Sequence, residues 1–131
     1  MRETTLCYLE KHNQYLMLHR NKKPNDANQG KWIGIGGGFL DGETAEMCMV
    51  REVLEETGLH LTRCHYKGIV TFISDIHEDE IMHLFKGLAW TGDLKPCEEG
   101  ELAWMDKHDL DRLPMWEGDR IFLTLLDQDL P

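Results

Sequence analysis

The chain has 131 residues, 41% apolar and 29% charged, close to ordinary globular usage. That length allows one domain with a real core and excludes two. With 24 acidic against 14 basic residues and a net charge of −10, the mean field repels polyphosphate backbones, which argues against a nucleic-acid polymer as partner. A phosphate-bearing ligand then needs a local basic patch or a bridging metal ion. No run of about 18 apolar residues is present, and the opening MRETTLCYLE lacks the basic-then-apolar pattern of a leader, so a cytoplasmic protein without a membrane partner is expected. The four cysteines, Cys7, Cys48, Cys64 and Cys97, form no CxxC pair and are expected to be reduced, packed thiols.

In chain order, Thr4 to Leu9 and Tyr15 to Arg20 are β-favourable and flank the polar Lys11-His12-Asn13-Gln14, which predicts a hairpin. Asn21 to Gln29, with Pro24 and two further asparagines, reads as a loop. Trp32 to Gly36 predicts a short strand running into glycine-rich backbone. Thr44 stands where an N-cap belongs, helix formers follow to Thr57, and Gly58 takes the C-terminal glycine position. Strands are expected over Tyr66 to Ile73, Ile81 to Trp90 and Glu101 to Met105. Asp106 is placed to cap a short helix through Leu113, and Ile121, Phe122, Leu125 and Leu126 give Asp119 to Asp127 a helical period. The order β, β, β, α, β, β, β, α predicts an α/β fold, a mixed sheet sandwiched by helices in a single domain over residues 1–131.

The segment from Gly36 to Leu59 adds six acidic residues to a chain already acidic. On the helix from Thr44, Glu52, Glu55 and Glu56 fall within an arc of roughly 100°. Like charges at that spacing cost a few tenths of a kcal/mol each when exposed and more when buried, so the arrangement calls for a cation. Carboxylates with a carbonyl or two are hard oxygen ligands suited to Mg²⁺, with Mn²⁺ as an alternative. Arg51, four residues before Glu55 and next to Glu52, is placed to hold one of these carboxylates. A solvated acidic face or a protein interaction surface is the competing reading of the helix alone.

The flanking spacing decides between them. From Gly37 the residues run Gly, five others, Glu43, seven others, Arg51, Glu52, Val53, one other, Glu55, Glu56, one other, Gly58, Leu59. This pattern over 37–59 resembles the signature box of the Nudix hydrolases at every specified position. The resemblance implies an α/β/α sandwich with a mixed sheet, in which the box forms a loop, a helix and a loop that bind a divalent metal and a diphosphate. It implies Glu52, Glu55 and Glu56 as metal ligands with the Gly36 carbonyl, Arg51 orienting Glu52, and Glu43 supporting the loop. Glycines suit a backbone that must approach a metal and phosphates closely. A carboxylate must take the proton of the attacking water. Glu55 or Glu56 can do so, and in several members a glutamate on a distant loop contributes, for which Glu99 is the nearest match and Glu98 the second.

Outside the box, LMLHRNKKP, GKWIGIGGG and MWEGDRIF make the chain similar to the MutT-type branch, including the oxidised-purine nucleoside triphosphate hydrolases. The likeness implies a nucleotide substrate, with Arg20, Lys22 and Lys23 as a phosphate patch and Gly37 and Gly38 against the phosphates. It implies Trp32 and Trp116 as base-stacking or core residues, and Asp119 bonding a purine edge. Many members have lysine where Gly38 stands, and the vertebrate type has a polar residue at Ile33. The expected activity is Mg²⁺-dependent conversion of a nucleoside triphosphate such as 8-oxo-dGTP to the monophosphate and pyrophosphate. An ADP-ribose or dinucleoside polyphosphate hydrolase and a non-catalytic nucleotide sensor are the alternatives, in a monomer or a homodimer. His77 and His83 lack a third ligand at zinc spacing and are read as surface or strand residues.

Overall fold

The computed structural model describes residues 1–23, 29–73, 75–76, 78–115 and 117–126. The strands are β1 (Arg2–Lys11), β2 (Gln14–His19), β3 (Trp32–Ile33), β4 (Ile35–Gly38), β5 (His60–Phe72), β6 (Glu80–Thr91) and β7 (Glu101–Asp106). The helices are α1 (Ala45–Thr57) and α2 (Glu117–Leu126), with a 3₁₀ helix over Lys107–Arg112. β1 is the centre of the architecture. It pairs parallel with β6 (Leu6 with Leu84), antiparallel with β4 (Leu6 with Gly36) and, at its end, with β2 (Glu10 with Tyr15). β5 runs antiparallel to β6, while β3 and β7 flank β2. The result is the mixed sheet expected.

Alternation along β1 and β2 sends side chains to two cores, one on each sheet face. Cys7, Leu9, Leu16 and Leu18 pack with Met49 and Val53 of α1. Tyr8, Tyr15 and Met17 pack with Leu110 and with Phe122, Leu123 and Leu126 of α2. One helix therefore closes each face, giving the α/β/α sandwich. Met49 and Val53 are fully buried, which contributes on the order of 2 kcal/mol for each side chain.

Local chemistry sets the elements that carry the site. The β1–β2 hairpin turns at His12 and Asn13, both at positive φ, the conformation a two-residue type I′ turn requires. Thr44 Oγ1 accepts from the Met47 N–H at 3.2 Å at the head of α1, and Gly58, at φ 82°, donates its N–H to the Leu54 carbonyl. Asp106 caps the 3₁₀ helix by accepting from the His108 N–H at 2.8 Å. All four cysteines are free thiols.

Several boundaries differ from the sequence reading, β1 for one running two residues further at each end. Trp32 to Gly36 is two strands, broken at Gly34, because β3 pairs with β2 and β4 with β1. β5 begins at His60 instead of Tyr66, since register shifts near Arg63 and Gly68 break the period-2 pattern that would mark it. α2 begins at Glu117, two residues before Asp119. His83 lies on β6, its Nδ1 at 3.0 Å from the Tyr66 hydroxyl; His77 lies outside the described residues. Among the described residues no helix is long and apolar enough to cross a membrane.

Candidate active site

The glycine run enters α1 through contacts that exclude side chains. A Cβ on Gly36 would fall 1.9 Å from the Thr5 carbonyl oxygen of β1, and one on Gly37 would fall 2.6 Å from the Glu52 carboxylate. Strand pairing therefore demands the first glycine, and the site demands the second. Arg51 organises the next layer. Its Nε and Nη2 donate to Glu43 at 2.7 and 3.0 Å, Nη1 to Glu52 at 2.9 Å and Glu55 at 3.2 Å, and Nη2 to the Gly38 carbonyl at 3.0 Å. Glu43 also accepts from the Leu40 N–H at 2.7 Å. The guanidinium and the Leu40 N–H hold the Glu43 carboxyl below its ordinary range, and Arg51 is kept firmly charged, chiefly by Glu43.

Beside this scaffold is a cleft of about 660 Å³ lined by Glu52, Glu55 and Glu56 and by the Glu98 and Glu99 loop. Glu56 accepts from the Gly36 N–H at 3.1 Å. It faces Glu99 closely enough to share a hydrogen bond when one of the two is protonated. Burial, then the charges of Glu99 and Glu52, push its carboxyl well above the usual carboxylate range. Glu52 is also raised, by burial first, with Arg51 opposing. Arg20 Nη1 donates to Glu99 at 2.8 Å and Lys22 Nζ to the Cys97 carbonyl at 2.9 Å, tying the loop to the end of β2.

A divalent cation fits this donor set. Glu52, Glu55 and Glu56 are hard oxygen donors lining one cleft, and they are the side chains that would hold such an ion. They line one cleft without converging on a point: Glu55 turns towards Arg51 and is 58% exposed, and among the described residues no three acidic, histidine or cysteine side chains are grouped closely enough to hold an ion as they stand. Gly36 touches this cluster here through its N–H.

The other residues named from the sequence are dispersed. Gly37 lines the cleft, while Gly38 lies in the adjoining recess of the 38–43 loop. Lys23 is exposed and outside the cleft lining. Trp32 is half-buried, stacked on His19 with ring centroids 4.5 Å apart, and its backbone N–H donates to the Pro114 carbonyl at 2.7 Å. Trp116 lies outside the described residues. Asp119 is half-buried on α2, and burial pushes its carboxyl up to about 6. Its charge acts on Tyr8, whose buried hydroxyl lies close to the Gly34 backbone without a well-formed hydrogen bond. Neither Tyr8 nor the His19 stack was legible beforehand; alternation on β1 marks Tyr8 only as buried.

Comparison with known proteins follows the same lines. The NUDIX domain family matches residues 2–126. An uncharacterised Nudix hydrolase, YvcI of Bacillus subtilis, is 32% identical over 96% of this chain and 79% of its own length. The oxidized purine nucleoside triphosphate hydrolase of Danio rerio is 36% identical over 76% of this chain, an alignment spanning 64% of that protein. The crystal structure of a MutT protein from Bacillus halodurans superposes with a TM-score of 0.84 at 30% identity, covering 98% of this chain and 84% of the other.

Proposed function

The chain belongs to the Nudix family, and from that premise we propose that it is a Mg²⁺-dependent nucleoside triphosphate pyrophosphohydrolase. Its proposed substrate is an oxidised purine nucleotide such as 8-oxo-dGTP, cleaved by water to the monophosphate and pyrophosphate. The observation that carries the hydrolytic reading is the Glu56–Glu99 pair, two carboxyl groups from distant elements brought together beside the Glu52 and Glu55 face. When bound, a divalent ion supplies Lewis-acid polarisation of a phosphoryl oxygen and lowers the pKa of a coordinated water. Glu52, Glu55 and Glu56 would provide its oxygen donors. Arg51 keeps Glu52 aimed into the cleft, and Gly37 leaves the carboxylate room. Glu99, held by Arg20, is placed to accept the proton of the attacking water.

The oxidised-purine assignment is supported by Asp119 of α2, on the other sheet face. A carboxyl raised to about 6 both donates and accepts near that pH, the pairing a polar purine edge uses. The Danio rerio relative's named substrate class agrees with that chemistry.

Turnover with Mg²⁺ on 8-oxo-dGTP, dGTP, dATP, CTP, ADP-ribose and diadenosine tetraphosphate tests the reading. The highest kcat/KM is expected for 8-oxo-dGTP, with pyrophosphate released and activity lost in Glu55→Gln and Glu56→Gln. A preference for ADP-ribose or a canonical nucleotide overturns the purine assignment, and absence of turnover on all six overturns the reaction.

A further inference from the structure

Two more cations line the cleft, Lys95 beside the Glu98 and Glu99 loop and Arg2 from the first residues of β1. A Cβ on Gly38 would lie 3.6 Å from Arg2 Nη2 and 3.7 Å from Arg2 Nε, so the guanidinium lies over the glycine in the space a side chain at 38 would enter. From there Arg2 lines both the cleft of Glu52, Glu55 and Glu56 and the adjoining recess of the 38–43 loop. Its backbone is fixed, with its N–H donating to the Asp79 carbonyl at 2.9 Å and Arg2 in register with Glu80. Its side chain is 61% exposed and forms only a loose, exposed ion pair with Glu80, whose carboxylate lies 3.8 Å from Nη1.

The neighbouring arginines are committed differently. Arg51 donates to three carboxylates of the box, and Arg20, only 16% exposed, donates to Glu99. A polyphosphate entering a cleft of five glutamates meets repulsion that a metal offsets on one side only. A guanidinium matches phosphate oxygens in a two-pronged geometry and stays charged at any working pH. We propose that Arg2 binds the polyphosphate of the substrate, reaching across Gly38 to its oxygens on the side away from the metal-binding carboxylates. The proposal rests on reading the cleft as a phosphoanhydride site.

The test is calorimetric titration of inorganic pyrophosphate with Mg²⁺ into the wild type, Arg2→Ala, Arg2→Lys and the double variant Arg2→Ala/Gly38→Lys. Gly38 is spatially suited to the compensating change, since a Cβ there makes only ordinary contacts. Expected is affinity about tenfold weaker in Arg2→Ala, the scale of one charge-assisted contact. Arg2→Lys and the double variant should each regain part of it, and a growing deficit at low salt is expected of an ionic contact. Unchanged affinity in Arg2→Ala, a loss neither lysine restores, or no pyrophosphate binding by the wild type overturns the proposal. Turnover of nucleoside triphosphate in the same preparations judges the underlying reading separately. An inactive wild type that binds pyrophosphate through Arg2 fails that reading and keeps this one.

Discussion

Arg20 and Glu99, 79 residues apart in sequence, meet through a hydrogen bond of 2.8 Å at the mouth of the cleft. The meeting depends on backbone contact as well, because a Cβ on Gly100 would fall 1.9 Å from the His19 carbonyl oxygen, so only glycine lets the loop lie against the end of β2. The arginine expected to bind phosphate therefore holds the glutamate expected to act as base.

That arrangement predicts a rate defect rather than an affinity defect. Arg20→Ala should lower kcat roughly 10- to 100-fold, a fraction of what a positioned general base contributes, with a smaller change in KM. Arg20→Lys should recover part of the loss. Steady-state kinetics on the best substrate of the panel decide it; a defect confined to KM would return Arg20 to the phosphates.

Glu56 should be unfavourable to the metal-free fold. Its folded pKa lies above the unfolded value, so the stability associated with the protonated form falls as pH rises from the unfolded pKa towards the raised one. In EDTA at pH 8, Glu56→Gln is expected to melt higher than the wild type. Mg²⁺ should raise the wild-type Tm, with little effect on the variant, and should release protons, read as a dependence of calorimetric heat on buffer ionisation enthalpy.

Gly36→Ala and Gly37→Ala should fail in different ways. The first drives a Cβ into the β1 backbone and should lower stability by about 3 kcal/mol or more, or prevent folding. The second meets a side-chain carboxylate, which can move. Gly37→Ala should therefore keep most of its Tm while losing Mg²⁺ affinity and about 100-fold in kcat. Thermal melts and kinetics on the pair separate the two.

Asp119 predicts a trade between stability and recognition. Its carboxyl is raised from 3.8 to about 6 by burial, so the fold loses stability as pH rises through that window and gains none above it. A shift of this size corresponds to at most about 3 kcal/mol, and about 1–2 after allowance for partial solvent screening. Asp119→Asn should melt higher than the wild type at pH 7, lose that advantage near pH 4, and reduce kcat/KM for 8-oxo-dGTP more than for dGTP. Equal Tm differences at both pH values would contradict the burial argument.

The elements legible beforehand are those whose cause lies within a few residues. Thr44 and Gly58 mark the ends of α1 because a cap bonds to its own helix, and the 23 residues from Gly37 to Leu59 carry the family's signature pattern at one fixed spacing. The start of β5 and the break at Gly34 were not legible, since the first depends on bulges against β6 and the second on strands choosing different partners. Trp32 shows the same limit. Its residue type suggests stacking, but that His19 is its ring partner depends on the β2–β3 register.

The sequence by itself determined the family, the carboxylate face of α1 and the glycines that flank it, because helix periodicity and capping act at fixed short separations. Only the tertiary structure decided where the two distant arginines go, Arg20 to Glu99 and Arg2 over Gly38. These pairings join β1, β2 and the 95–100 loop across long stretches of chain. Their distances follow from strand register and from two backbone approaches that tolerate no Cβ, at Gly36 and Gly100.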